Sequence, residues 1–389
     1  MSALGGSMQI TRDLLRVFWD GQIVDRAELG RQTGVARSTV SSIVGGLLTA
    51  GLIEEVGTGE STGGRPPQLL RLNSRRGVVL GADLGATHGR LLVADLAGVS
   101  LAEGEWPLDM ADGPHRVVAW MIDRFEDLLK ETGYSEADVY GVALGVPGPV
   151  EFSEGWAVAP PIMPGWDKVP LRPLIQEHVD APVVVDNDVN VMAYGEYWTQ
   201  WRHRAENLLF VKVGTGIGSG IIASGRVYRG SQGAAGDIGH VALTDHLHVI
   251  CPCGNRGCLE AVAGGKALTE RLVPGRTVRD LVEMAQKGEA DVIPALREAG
   301  RTIGQVVAGA VNLFNPSVLA IGGGLGVVGD HVITGIKEVV FQRSTVLATR
   351  DLRLVPSRLG NRAGVVGAAT LAIARAFDSP RVWAQLELG

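Results

Sequence analysis

The sequence contains little cysteine, no unbroken membrane-length apolar run and no excess of positive charge, and each shortage excludes a class of protein. Cysteine occurs three times in 389 residues, always between 251 and 258, which excludes a disulfide-stapled secreted domain. The 36 Lys and Arg residues are outnumbered by 42 Asp and Glu residues, and the net charge of -6 excludes a uniformly basic nucleic-acid coat.

Nothing in the sequence predicts export or membrane insertion. The first residues lack the apolar core of a signal peptide. The longest uncharged stretch, residues 302–329, is broken by Asn312, Asn315, Pro316 and several glycines, which predicts a buried helix, turn and strand instead of a membrane span. We therefore expect a cytoplasmic protein with no membrane partner.

Length and charge distribution divide the chain into a small head and a larger body. A chain of 389 residues is long for one domain and predicts two or three. Residues 1–76 carry 9 basic and 7 acidic side chains, whereas the remainder carries 27 and 35. A basic head on an acidic body is consistent with a DNA-binding module joined to a body that has another role.

Short apolar runs alternate with helical patterns through the body, which predicts an α/β fold. Glycine makes up 54 residues, and many of these glycines end the apolar runs. Ligands usually bind at strand ends in α/β sheets, so these turns are candidate binding loops. The predicted strands are 78–83, 89–95, 140–144, 182–186, 208–213 and 317–321, and the predicted helices are 115–131, 189–203, 278–287 and 297–313.

The head has the pattern of a winged helix-turn-helix. Helices are predicted at 9–19, at 26–33 and from Arg37 onward, followed by a two-stranded wing made of 52–56 and 68–72. The start of the third helix would face DNA, and an arginine at the wing tip could enter a minor groove. An ordinary three-helix protein–protein module is the alternative. The predicted DNA-contacting residues are Arg37, Ser38, Thr39, Ser42 and Arg65.

Three glycine-rich turns of the body follow predicted strands. They are DLGAT at 83–87, GTGIGSG at 214–220 and GGG at 322–324. Backbone N–H groups and a threonine hydroxyl in such turns can hold phosphate. One glycine turn alone commonly serves packing, but three in this order predict a clamp around a nucleotide.

The segment VDNDVN places Asp186, Asn187, Asp188 and Asn190 after an apolar strand. A carboxylate there can take a proton from a sugar hydroxyl, and an amide can bind two hydroxyls. Asn and Asp are also preferred helix N-caps. The local sequence supports a sugar site and a helix cap equally.

The cysteine cluster CPCGNRGC is the most specific chemical signal in the sequence. Cys251, Cys253 and Cys258 lie within eight residues, and with one histidine they would form a closed structural zinc site. A catalytic zinc is less expected, because catalytic sites seldom use three thiolates. Spacing alone leaves His240, His246 and His248 open as the fourth ligand; three free thiols are the alternative.

Together these motifs resemble the ROK family of repressors and sugar kinases. The resemblance rests on DLGAT, DND, GTGIG and GDIGH…CPCGNRGCLE in this order, and it covers about residues 76–375. With the winged helix-turn-helix in front, the chain is similar to the repressor branch, which includes xylose, N-acetylglucosamine and Mlc-type repressors. The resemblance implies an actin-like (ribonuclease H-like), two-lobed sugar kinase fold behind the head. The expected domains are 1–75, 76–190 and 191–389, with a C-terminal helix that returns to the first lobe.

The resemblance also assigns ligands to residues. It implies a structural zinc held by His240, Cys251, Cys253 and Cys258. It implies that sugar hydroxyls meet Asn187, Asp188, Asp237, His240 and Glu260, and that Asp188 is the catalytic base if the protein is a kinase. The nucleotide-binding positions, relevant with ATP and Mg²⁺ only in a kinase, are Asp83, Gly85, Thr87, Thr215, Gly216 and Gly323.

Three departures from the kinase pattern weigh against phosphoryl transfer more than against sugar binding. Asp237 stands where kinases of the family usually have Glu, and one methylene less pulls the carboxylate back from a hydroxyl. His88 replaces a lysine, and residues 161–163 replace an asparagine before the PGW loop at 164–166. Asp188 and the first two glycine loops are retained.

We expect a sugar-responsive DNA-binding regulator of carbohydrate metabolism genes that acts as a repressor, with an activator role as the alternative. It would bind operator DNA as a homodimer or homotetramer and take a monosaccharide as effector. An ATP-dependent sugar kinase of the glucokinase or hexokinase type, alone or combined with DNA binding, is the alternative. A regulator that senses a partner protein is a further one.

Overall fold

A computed structural model describes residues 3–60, 66–160, 163–328 and 330–378 of the chain. Arg65, the predicted wing-tip arginine, and residues 161–162 before the PGW loop lie outside the described residues. In the described part of the chain, every helix is too short or too polar to cross a membrane.

The head is a bundle of helices followed by a two-stranded antiparallel sheet, the arrangement of a winged helix-turn-helix. Asp25 fixes the start of the second helix, because its carboxylate accepts hydrogen bonds from the backbone N–H groups of Ala27 and Glu28. Gly34 ends the same helix in the left-handed conformation, with φ of 70°. The elements are α1 (Ala3–Trp19), α2 (Arg26–Thr33), α3 (Arg37–Thr49), β1 (Ile53–Thr58) and β2 (Gln68–Leu72).

The body contains two five-stranded sheets with the same topology. The order in the first sheet is β5-β4-β3-β6-β9, and in the second it is β12-β11-β10-β13-β14. In each sheet the central strand is antiparallel to one neighbour and parallel to the other. The strands are β3 (Val78–Leu84), β4 (His88–Asp95), β5 (Ser100–Pro107), β6 (Val139–Val146), β9 (Val183–Asn187), β10 (Leu208–Val213), β11 (Ile217–Ala223), β12 (Arg226–Tyr228), β13 (Val318–Gly322) and β14 (Arg353–Pro356), with β7 (Val150–Glu151) and β8 (Trp156–Ala157) forming a separate hairpin.

Helices cover both sheets, and two of them lie between the lobes. The helices are α4 (Pro114–Thr132), α5 (Leu171–Gln176), α6 (Asp188–Glu196), α7 (Leu259–Ala263), α8 (Gly265–Leu272), α9 (Val278–Gln286), α10 (Val292–Phe314), α11 (His331–Arg343), α12 (Val346–Thr349) and α13 (Ala363–Phe377). The chain continues from α6 directly into a π-helical turn, Tyr197–Trp201. The C-terminal helix α13 packs on the first sheet, where Val365 and Ala369 share a buried cluster with Val79 and Ala143.

The contact between α6 and α13 is close because glycines face each other across it. A Cβ on Gly195 of α6 would lie 2.6 Å from the carbonyl oxygen of Ala363, and one on Gly367 of α13 would lie 1.9 Å from that of Val191. These distances leave no space for a side chain, so the two backbones approach directly.

The predicted α/β class with an N-terminal winged helix-turn-helix and a two-lobed body is confirmed. Residues 189–203, predicted as one helix, are divided into α6 and a π-helical turn. The apolar patterns did not predict β5, β7, β8, β11, β12, β14, α5, α7, α8, α11 or α12, and a helix at the position of α13 was expected only from the family resemblance. Glycines weaken the strand pattern of β11, yet Gly220 is required there, because its Cβ would lie 2.7 Å from the carbonyl oxygen of Val189 in α6.

Replacing Gly367 by alanine is expected to destabilise the body. The new methyl group would collide with the backbone of α6, and overpacking of this kind costs about 1–3 kcal/mol or more. Gly309→Ala is the matched control, since Gly309 lies in α10 and a methyl group added there would meet no atom within 4 Å. We expect the control to be neutral or to raise the free energy of unfolding by about 0.5–1 kcal/mol. Urea unfolding checks both; equal midpoints for the two variants would contradict the packing.

Candidate functional site

The first component of the candidate site is the start of α6, where Asn187 is the N-cap residue. Its Oδ1 accepts hydrogen bonds from the N–H groups of Val189 and Asn190, at 2.9 and 3.3 Å. Its Nδ2 donates to the carbonyl oxygen of Gly148 at 2.9 Å. The helix-cap interpretation therefore holds for Asn187, and one amide hydrogen remains for a ligand.

Asp188, the first residue of α6, is held across the lobes by Lys212 of β10. Nζ of Lys212 lies 2.5 Å from Oδ2 of Asp188, whose side chain is 6% exposed. Burial lowers the pKa of Lys212, but the carboxyl groups of Asp188, Asp83 and Glu260 more than offset this and hold that pKa above its ordinary value. Lys212 therefore remains charged beside the residue predicted as catalytic base.

The first glycine loop begins with the buried Asp83 at the end of β3. Burial raises the pKa of Asp83 to about 6, although Lys212 opposes this shift. Its carboxylate lies against Gly364 at the start of α13, where a Cβ would be 2.1 Å from Oδ2. Gly85 donates its N–H to the carbonyl oxygen of His88 at 2.8 Å, which closes a tight turn, and Thr87 is exposed beside it.

The second and third glycine loops meet at the end of β10. Gly323, with φ of +82°, lies so close to this strand that a Cβ would be 2.5 Å from the carbonyl oxygen of Val213. Thr215 is exposed, and its carbonyl oxygen accepts a hydrogen bond from the N–H of Lys266 at 2.9 Å.

Glu260 lies beside Gly216, and its Oε2 accepts a hydrogen bond from the N–H of Ile217 at 3.0 Å. A predicted sugar ligand thus contacts a predicted nucleotide loop.

Behind Asn187, a buried ion pair supports the start of α6. Asp186 is 1% exposed, and its Oδ2 accepts hydrogen bonds from Nε and Nη2 of Arg229 at 2.9 and 2.6 Å. Its Oδ1 accepts a hydrogen bond from Nδ2 of Asn190 at 3.0 Å. The guanidinium of Arg229 also lies over the ring of Phe152, 3.7 Å from its centroid. Asp186 therefore has a supporting role, and its oxygens are already engaged.

The structure brings His240, Cys251, Cys253 and Cys258 together into one group. One ligand atom from each residue lies within 4.8 Å of the others. Sγ of Cys251 is 3.7 Å from Nδ1 of His240, and Sγ of Cys253 is 3.7 Å from Sγ of Cys258. His246 and His248 do not belong to this group of described residues, so the choice among three histidines is resolved.

The residues present fit a tetrahedral metal ion. With Zn–S bonds of about 2.3 Å, the thiolates of such a site lie roughly 3.8 Å apart, close to the observed separations. Burial and the neighbouring thiols raise the pKa of Cys258 to about 12, which a bound cation would reverse by stabilising the thiolate. The group can therefore hold a metal ion.

Asp237 lies on the side of His240 that faces away from the cysteines. Its Oδ1 is 4.0 Å from Nε2 of His240, while Nδ1 of the same ring faces Cys251. A carboxylate behind a metal-ligating histidine commonly orients the ring. Since Asp237 and His240 are both partly exposed, the ring edge stays accessible beside the metal group.

The predicted DNA-contacting residues that the structure describes lie at the start of α3. Arg37, Ser38 and Ser42 are exposed and Thr39 is half-buried. The opposite side of the helix is buried in the core of the head, through Val40, Ile43, Val44 and Leu47.

No sequence motif pointed to two charged residues of the site, Lys212 and Arg229. A lysine inside the apolar run LLFVKV was the available signal, because charged residues are almost never buried unless paired. Arg229 gave no comparable signal, since it follows a short exposed strand and meets Asp186 only through the fold.

Fold and site together define a class of protein: a winged helix-turn-helix joined to a two-lobed body of the sugar kinase type. Comparison with known proteins identifies the family. The sequence model of the ROK family matches residues 79–375, and the chain belongs to this family.

Similar proteins include both repressors and kinases. The xylose repressor of Caldicellulosiruptor bescii is 29% identical over 384 residues, covering 94% of this chain and 96% of that protein. The glucokinase of Halalkalibacterium halodurans is 30% identical over 312 residues, covering 75% of this chain and 94% of that enzyme. The crystal structure of a ROK family transcriptional regulator, a homolog of the E. coli MLC protein, superposes with a TM-score of 0.83 at 24% identity, covering 98% of this chain and 99% of that one.

Removing the histidine of the metal group is expected to weaken metal binding strongly. His240→Ala leaves three thiols and no fourth protein ligand, so the metal content should fall from about one ion per chain to well below half. His246→Ala is the control, because His246 lies outside the group. Inductively coupled plasma mass spectrometry of both purified proteins gives the answer. Full metal content in His240→Ala would contradict the assignment.

Proposed function

We propose that this protein is a sugar-responsive transcriptional regulator whose head binds operator DNA and whose body binds a monosaccharide. The head would comprise residues 1–75, and the two lobes residues 76–190 and 191–389. The observation that carries the proposal is a single helical segment, Asp188–Trp201, which runs from the candidate sugar site to the head. The names of the similar xylose repressor and ROK regulator support the same function.

The head presents a polar surface suited to DNA. At the start of α3, Arg37, Ser38 and Ser42 are exposed, and the leading residues of a recognition helix face base edges and phosphates. Two heads in a dimer would match the two halves of a pseudo-palindromic operator.

The head is joined to the body by an aromatic contact. The ring of Trp19, the last residue of α1, stacks on that of Trp198, with centroids 3.9 Å apart and planes 28° apart. Trp19 also meets the ring of Phe377 in α13 edge-on, at 5.7 Å. The guanidinium of Arg202 lies 4.4 Å from the Trp198 centroid, and its Nη2 is 3.6 Å from Oδ1 of Asp20. These contacts fix α1 on the body.

The same helical segment joins this contact to the site. Asp188 begins α6 beside Lys212, and Trp198 lies in the π-helical turn that ends the segment. At 1.5 Å per residue, the segment spans roughly 20 Å. π-helical turns often occur at functional sites. Because the segment is continuous, a shift at the start of α6 would move Trp198 and the helix α1 that packs on it.

Residues from both lobes would bind the sugar, so the affinity for the sugar would depend on how the two lobes are arranged. The proposed ligands of the sugar hydroxyls are Asn187 and Asp188 on the first lobe and Asp237, His240 and Glu260 on the second. A sugar that contacts both lobes binds one lobe arrangement more tightly, and only such a difference can shift the equilibrium. The metal would be a structural Zn²⁺ that holds His240 in place.

Operator release by sugar tests the proposal directly. DNA fragments selected from genomic DNA by the protein itself would be labelled, and their fluorescence anisotropy measured against a panel of monosaccharides. Loss of binding with one sugar would support the proposal. Sugar-dependent ADP release would establish the kinase alternative, and indifference to every sugar would contradict a sugar effector.

Arg37→Ala is expected to weaken operator binding by about tenfold. A base or phosphate contact at the start of a recognition helix is worth roughly 1–3 kcal/mol. Arg279→Ala, which removes the same charge from an 89% exposed side chain of the body, should leave affinity unchanged. Anisotropy at fixed salt measures both, and equal affinities for the two variants would exclude α3 from the DNA contact.

Trp198→Ala is expected to uncouple sugar from DNA. Allosteric coupling typically amounts to 5–150-fold, and we expect most of it to disappear while sugar and operator each still bind. Trp106→Ala is the control, since Trp106 pairs edge-on with Trp120 in the first lobe. Arg202→Gln removes the cation over Trp198 and provides a milder test if the first variant is unstable. If sugar releases operator DNA from both Trp198→Ala and Arg202→Gln as fully as from the unmodified protein, the contact between Trp198 and Trp19 does not transmit the effect of the sugar.

A further inference from the structure

Lys212 is a charged residue in an otherwise apolar central strand. The strand β10 is buried on both faces except at Lys212, whose side chain is 25% exposed. An ammonium group in such a place needs a partner, because an unpaired buried charge costs several kcal/mol. Asp188 supplies that partner at 2.5 Å.

The strands on either side of β10 place glycines opposite Lys212. In the register of the sheet, Lys212 is opposite Gly218 of β11 and Gly322 of β13. Neither strand therefore places a side chain opposite Lys212, and the side chains that cover these glycines are those of Val189 at Gly218 and Phe210 at Gly322. The ammonium of Lys212 reaches Asp188 at the start of α6.

Lys212 is the cation shared by three acidic groups of the site. Asp188 binds it directly, and Asp83 and Glu260 also attract it. Arg90 acts on Asp83 as well, but its guanidinium is engaged with Glu103 and Glu105. The ammonium of Lys212 thus provides positive charge where carboxylates from both lobes converge.

The ion pair of Lys212 and Asp188 also bears on whether the cleft can hold a magnesium–nucleotide complex. Mg²⁺ in kinase-type sites is held by one or two carboxylates together with substrate phosphates. The carboxylates near the first glycine loop are Asp83 and Asp188. Both oxygens of Asp188 are engaged, Oδ2 by Nζ of Lys212 and Oδ1 by the N–H of Val189 at 2.9 Å, and Asp83 is buried against Gly364. A divalent ion would have to displace the ammonium from Asp188, and the Asp188 oxygen that would accept a hydroxyl proton is paired with Lys212. The residues present therefore do not fit Mg²⁺.

We propose that Lys212 is a specificity-determining residue that replaces the divalent cation of a kinase, so that the cleft takes an uncharged monosaccharide and binds no magnesium–nucleotide. This inference rests on the proposed sugar site. It explains how the chain can retain Asp188 and the first two glycine loops and still act as a sensor. The sugar then remains unmodified, and its binding is fully reversible.

The inference is tested by measuring how tightly the full-length protein binds a divalent ion, with Mn²⁺ as the probe. Electron paramagnetic resonance measures the free Mn²⁺ that remains, in the presence and in the absence of ATP. Lys212→Gln removes the charge but retains a hydrogen-bond donor for Asp188. We expect its Mn²⁺ affinity to exceed that of the unmodified protein by at least about tenfold. Lys212→Arg, which retains the charge, should bind Mn²⁺ as weakly as the unmodified protein.

Lys266→Gln is the matched control, because it loses the same charge near the second glycine loop from a side chain that is 67% exposed. It should bind Mn²⁺ no better than the unmodified protein. The inference is overturned if Mn²⁺–ATP binds the unmodified protein as tightly as it binds Lys212→Gln, or if Lys212→Gln gains no affinity. Circular dichroism establishes that each variant is folded. The assay uses neither sugar nor operator, so its failure is distinct from failure of the proposed function.

Discussion

The ion pair between Asp188 and Lys212 joins the two lobes at the point where the candidate site is built. Asp188 begins α6 directly after the last strand of the first sheet, and Lys212 belongs to the central strand of the second. Both groups are largely removed from water, so separating them would leave uncompensated charges and cost several kcal/mol. The pair therefore fixes the start of α6 relative to both sheets.

The glycine contact between α6 and α13 extends this constraint away from the site. Because the backbones touch at Gly195 and Gly367, α6 cannot tilt without moving α13. Both helices then reach the head: Trp198, beyond α6, stacks on Trp19, and Phe377 of α13 meets the same ring. The head is thus attached to the two helices that lie between the lobes. A ligand that changes the lobe arrangement has a short physical path to the DNA-binding helices.

The metal group lies in a segment of the second lobe that has little regular secondary structure. Residues 238–258 form short turns and isolated bridges instead of long helices or strands. A metal ion held by His240 and three cysteines would cross-link these turns. One ring nitrogen of His240 faces the thiols and the other faces Asp237, so the same side chain belongs to the metal group and to the proposed sugar site.

Local sequence was sufficient where a residue's role depends on its neighbours along the chain. The capped helix α2, the recognition helix α3, the apolar strands, the three glycine turns and the cysteine spacing were all predicted, since periodicity, caps and turns are short-range properties. Local patterns failed at β11 and α13, where small residues carry little periodic signal and are required by close backbone contact. Local spacing left the histidine of the metal group open, and the family resemblance and the tertiary structure both select His240. Only the tertiary structure brought Lys212 to Asp188, Arg229 to Asp186 and Trp19 to Trp198. Those pairs are distant in the chain, and burial of charge and apolar surface, which no local pattern encodes, decides which of them meet.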